Sequence, residues 1–162
     1  MKTIEITRFS LVSARPFKEV LQKLTETIGR PDINAFHNAI TTAATMAELE
    51  RLVQRAIGSS GLMEFVRFDA GEILRKEGNG RSPQILRLVI GNPIIMKEMA
   101  KRAPDAPAYA PVTILVDERV DGVHLTYDTM ASLLAPYGSQ TALSVARDLD
   151  TKVEQLMETA AQ

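Results

Sequence analysis

The chain has 162 residues, 45% of them hydrophobic and 24% charged, with a formal net charge of −1. That length suits one sizeable core, and the charge balance leaves no basic excess to draw nucleic acid or an anionic membrane. The absence of cysteine excludes disulfides, thiolate metal ligands and cysteine nucleophiles.

Residues 3–12 are predicted as a strand. Ile4, Ile6, Phe9 and Leu11 alternate with Glu5, Thr7, Arg8 and Ser10, with a slip in phase near Arg8 that reads as a bulge. The start of the chain lacks the apolar run of a signal peptide. Phe17, Val20, Leu21, Leu24 and Ile28 share one helical face, opened by Pro16 and ended by Gly29. Residues 31–57 read as a helical insertion without a core of its own, inside a single domain spanning 1–162. Thr45-Met46-Ala47-Glu48 has the spacing of a capping box, so the insertion is predicted as two helices with a break at 42–45.

Leu62 to Phe68 is a predicted strand, and the Asp69 to Glu72 spacing starts a short helix to about Glu77. Residues 78–83, Gly-Asn-Gly-Arg-Ser-Pro, form the most turn-rich segment and are expected to be mobile. Gln84 to Ile90 reads as the central strand, apolar on both sides apart from Arg87. It runs into Gly91-Asn92-Pro93 and the amphipathic segment Ile94 to Arg102. Asn is a favoured N-cap and Pro suits the first helical position, so the tripeptide fixes a strand-to-helix corner.

Residues 104–111, with three prolines, are expected to be extended. Val112 to Glu118 and Val123 to Asp128 flank Asp121-Gly122, a hairpin signal. Thr129 to Leu134 makes one or two helical turns before Pro136-Tyr137-Gly138. The last helix carries Ala142, Val145, Ala146, Leu149, Val153, Leu156, Met157 and Ala160 on one stripe. The expected order is β-α-(α insertion)-β-α-β-α-β-β-α: an α+β fold with a mixed, mostly antiparallel sheet and helices on one face. No segment approaches the ~20 apolar residues of a membrane span, so a cytoplasmic protein is expected.

Leu86 to Pro93, then Pro111 to Glu118, then Gly122 to Asp128 resemble the family numbered 302 among the domains of unknown function. The resemblance covers about residues 84–160, and more loosely 3–28 and 62–74. Residues 31–57 depart from that family's usual pattern, as does Asp128-Thr129 where many relatives carry aspartate and proline. The resemblance implies a curved antiparallel sheet backed by helices, similar to the TATA-binding-protein-like architecture, and usually a homodimer. It implies no established activity and no catalytic residues.

The candidate site residues fall into two groups. Gly91-Asn92-Pro93 opens a helix N-terminus where an anion or small ligand could sit, with Lys97 one turn on and Arg87 on the strand; capping alone also accounts for Asn and Pro. His124 shares a strand face with Thr126 and Asp128, a stripe that suits a proton shuttle, a pocket rim or an ordinary solvated face. His37 has no carboxylate cluster near it, and the two histidines fall in different elements, so no metal site is expected. Asp117-Glu118 and the pair Asp148 and Asp150 read as solvated charge. Without a phosphate loop or nucleophile elbow, no cofactor is expected.

The reading that follows is a homodimeric small-molecule-binding or regulatory protein, more in keeping with a non-enzyme than an enzyme. Its apolar pocket would be rimmed by Arg87, Gly91, Asn92, Pro93, His124 and Asp128. One alternative is a protein–protein interaction module on the 31–57 helices; another is an enzyme using His124 and Asp128.

Overall fold

The structure, a computed structural model, describes residues 3–77 and 83–162. The turn-rich 78–83 segment therefore lies, apart from Pro83, outside the described residues. Five strands form one sheet: β1 (Arg8–Ser13), β2 (Met63–Asp69), β3 (Ile85–Gly91), β4 (Val112–Arg119) and β5 (Gly122–Asp128). Their order is β1-β5-β4-β3-β2, and every pairing is antiparallel. The central strand is β4, where the sequence pattern suggests β3. The apolar run of β3 reflects neighbours on both sides, a condition it shares with β4 and β5.

Period-two alternation sorts the sheet into two faces. Leu86, Leu88 and Ile90 of β3, Val112, Ile114 and Val116 of β4, and Val123, Leu125 and Tyr127 of β5 are all buried on one of them. Four helices supply the other half of that core: α1 (Phe17–Glu26), α5 (Pro93–Ala100), α6 (Met130–Leu134) and α7 (Gln140–Ala161). Val20, Leu24, Met99, Met130, Leu149, Val153 and Met157 bring their apolar stripes into one cluster with the sheet. The opposite residues of each strand, among them Arg87, Thr113, Leu115, His124, Thr126 and Asp128, lie outside that core on an outer face.

The remaining helices are α2 (Ile33–Thr42), α3 (Met46–Ala56) and α4 (Ala70–Glu77). Asp32 caps α2 through the N–H groups of Asn34 and Ala35, both at 3.0 Å. The expected capping box of α3 is present: Thr45 Oγ1 accepts from the Glu48 N–H at 3.2 Å, and Glu48 Oε2 accepts from the Thr45 N–H at 3.3 Å. Residues 31–57 contribute to a small apolar cluster that does not close within the segment. Phe36, Val53 and Ala56 close on Met63 of β2, so this satellite needs the sheet to complete it.

Several boundaries differ from the sequence expectation for local reasons. The strand begins at Arg8, so the slip in phase there marks its start. The bulge belongs to β2, between Glu64 and Val66. Gly29 does more than end α1. Its N–H donates to the Leu62 carbonyl at 2.9 Å, as does that of Gly58, and a Cβ on Gly29 would lie 1.9 Å from the Ala56 carbonyl oxygen. The proline-rich stretch is a 3-10 turn at Ala106–Ala108 rather than fully extended. Two acids expected to be solvated are buried. Asp117 is gripped by Arg119, and Asp150 points into the core from α7.

Candidate functional site

At the end of the sheet, where β3 hands over to α5, lies a cavity of about 190 Å³. Met99, Val112 and Leu149 form its inner wall; Phe65, Met96 and Pro111 flank it, and Ile40 and His37 of α2 approach from outside. Gly91-Asn92-Pro93 lines it as well. Gly91 is set by close approach: a Cβ there would lie 3.1 Å from that of Pro111.

The corner's polar atoms are already committed. Asn92 Oδ1 accepts from the N–H groups of Ile94 at 2.8 Å and Ile95 at 3.4 Å, and its amide nitrogen donates to the Gly61 carbonyl at 2.9 Å. Asn92 is thus both an N-cap and a tie to the loop before β2, and the first N–H groups of α5 are taken. The polar lining with spare hydrogen-bonding capacity is the exposed His37 imidazole, which has no hydrogen-bond partner among the described residues. Sequence reasoning passes over His37 because it looks for carboxylates nearby. The helical spacing of His37 with Ile40 is the available signal.

The other candidate residues lie elsewhere. Arg87 and Asp128 line a separate cleft on the outer face. Arg8 grips Asp128 through Nε and Nη2, at 2.6 and 2.9 Å, and this pairing holds the carboxyl below the usual carboxylate range. His124 Nε2 lies 2.9 Å from Asp121 Oδ1, and this hydrogen bond lowers the Asp121 carboxyl. Lys97 is paired with its neighbour Glu98 at 2.9 Å. The rim expected around one pocket therefore divides: Gly91, Asn92 and Pro93 at the apolar cavity, Arg87 and Asp128 at the outer cleft, His124 and Lys97 lining neither. His124 and Asp128 are also committed to different partners, which weakens a shared catalytic role.

Among the described residues, no three His, Asp or Glu side chains gather as a metal site would need. No helix among them is long and apolar enough to cross a membrane.

A family model described as "Domain of unknown function DUF302" matches residues 38–160. Among solved structures, the uncharacterized conserved protein DUF302 from Bacillus stearothermophilus superimposes with a TM-score of 0.66 at 11% identity, covering 94% of this chain and 97% of that one. No curated protein matches the sequence. At that identity the structural likeness concerns the fold alone.

Proposed function

This chain belongs to the DUF302 family, and on that footing we propose that it binds a small, mostly apolar molecule in the cavity between β3, α5 and α2. The carrying observation is the cavity itself: about 190 Å³, walled by Phe65, Met96, Met99, Val112 and Leu149, with His37 at its outer side. An apolar void of about 150 Å³ already admits benzene. The fitting class is therefore a one-ring aromatic or a short branched aliphatic, with one hydrogen-bonding group directed to His37.

The test is NMR titration of labelled protein with phenol, a single ring with one hydrogen-bonding group. Binding predicts amide shifts centred on Ile40, Phe65 and Met96, abolished by Ile40→Trp, which fills the cavity from its half-buried outer wall. Absence of shifts, or shifts that persist in Ile40→Trp, would sink the proposal.

The homodimer belongs to the same proposal. Val66 and Phe68 on the edge strand β2 are 50% and 46% exposed, and Ile73 and Leu74 on α4 are 59% and 41% exposed. Apolar side chains on an edge strand and the helix after it are what a second copy would cover. Sedimentation of the wild type against Phe68→Glu tests this; a monomer at all concentrations removes it. The interaction-module alternative has less support, since α2 and α3 turn Phe36, Val53 and Ala56 inward onto Met63.

A further inference from the structure

The outer face of the sheet holds a second concavity, of about 390 Å³, whose lining shares only Val112 with the apolar cavity. Its charged side chains are Arg8, Arg87 and Asp128. Arg8 and Asp128 neutralise each other through two hydrogen bonds. Arg87 is different. It projects from the middle of β3, between Leu115 of β4 and Phe68 of β2 in the cross-strand row. It has no ion pair among the described residues, and its one hydrogen bond there is a long 3.4 Å contact to Thr113 Oγ1. Arg67, Arg75 and Arg119 on neighbouring elements each hold a carboxylate at 2.9 Å or less.

The cleft thus carries one uncompensated positive charge beside an apolar floor. Leu115 and Leu133 supply that floor. The hydroxyl of Thr126, one strand over from Leu115, has no hydrogen-bond partner among the described residues. A guanidinium presents parallel donors that match a planar carboxylate in a bidentate pair. One guanidinium can neutralise a monoanion, whereas a phosphate dianion would lose more hydration and keep half its charge uncompensated beside the apolar floor. We propose that this outer cleft binds a small monocarboxylate, with its carboxylate on Arg87 and Thr113 and its apolar body over Leu115 and Leu133. None of Arg87, Thr113, Leu115 and Leu133 lines the apolar cavity, so either proposal can fail without the other.

The test titrates labelled full-length protein with benzoate, with benzamide as its neutral isostere and with inorganic phosphate. The proposal expects benzoate to shift the amides of Arg87, Thr113, Leu115 and Thr126, with benzamide and phosphate binding at least ten-fold more weakly. Arg87→Gln should weaken benzoate at least ten-fold, and Arg87→Lys should recover only part of it because the fork is lost. Because Arg87 is exposed, both variants should keep the wild-type Tm, which separates lost binding from lost fold. Equal benzoate affinity in Arg87→Gln, equal affinity for benzamide, or no shifts in this cleft would each overturn the assignment.

Discussion

Asp150, in the middle of α7, accepts a 2.6 Å hydrogen bond from the Tyr127 hydroxyl of β5 and caps α6 with the same carboxylate. Its Oδ1 takes the Met130 N–H at 2.7 Å and its Oδ2 the Ala131 N–H at 3.0 Å. Thr129, the residue in the N-cap position of α6, makes no side-chain cap bond. One buried acid therefore fastens the last strand, a five-residue helix and the long C-terminal helix together. The positive end of α6 and three donors offset the cost of burying its charge.

Asp150→Asn should destabilise the fold by about 2 kcal/mol, because an amide NH₂ must then face one of the N–H donors. Asp150→Ala, which leaves those donors unmet, should cost about 3 kcal/mol or more. Urea unfolding measures both. Tyr127→Phe should cost about 1–2 kcal/mol, and the double variant Tyr127→Phe/Asp150→Asn should cost less than the sum of the singles. Strict additivity would mean the two side chains do not act as a unit.

Burial first, and then the charge of Asp150, hold the Tyr127 hydroxyl well above the ordinary tyrosine value of 10.0. In the unfolded chain that restraint is gone and the group ionises near 10. Its contribution to stability is therefore complete below about pH 10 and is lost as pH climbs from there toward the folded value. Unfolding free energies measured between about pH 8 and about 11.5 should fall at the alkaline end. Tyr127→Phe should show a shallower fall, and an identical slope in both proteins would rule out this linkage.

Asn92 combines two duties, so its substitutions should separate them. Asn92→Ala removes the cap and the tie to Gly61, with an expected loss of about 2 kcal/mol. Asn92→Asp keeps an acceptor for the N–H groups of Ile94 and Ile95 but cannot donate to the Gly61 carbonyl, so it should recover only part of that loss. Thermal unfolding of the three proteins is the check, and full recovery in Asn92→Asp would show that the Gly61 contact contributes nothing.

Gly29→Ala drives a methyl group into the backbone at Ala56 and Gly58. The chain must separate where the end of α1, the end of α3 and the start of β2 share hydrogen bonds through Leu62. A loss of about 3 kcal/mol is expected. Hydrogen exchange should show the opening concentrated in α2, α3 and the first residues of β2. Exchange that rises uniformly over the sheet would contradict the idea of a locally held satellite.

Much of this architecture is written in local sequence. Caps and turns depend on residues within about four positions of one another. The capping box at Thr45 and Glu48, the Asn92-Pro93 corner, the Asp69 bond to the Glu72 N–H at 2.9 Å and the hairpin around Gly122 are therefore legible from residue type and spacing alone. The α7 stripe and the strand alternation point to the α+β class for the same reason, since period is a local property. Asp150 shows where that reasoning stops. It sits beside the apolar stripe, next to Leu149, and only the arrival of Tyr127 and the start of α6 decides that its carboxylate is buried.

The site is divided by the tertiary structure alone. Sequence places Arg87, Gly91, Asn92 and Pro93 within seven residues, close enough to suggest one rim with His124 and Asp128. The strand pleat turns Arg87 to the outer face beside Leu115. The chain's entry into α5 meanwhile carries Asn92 and Pro93 to the end of the sheet, where α2 brings His37 and Ile40. Which side chains share a cavity depends on strand order and on helices more than 50 residues away. Those contacts arise only when the chain closes its core, so no local pattern encodes them.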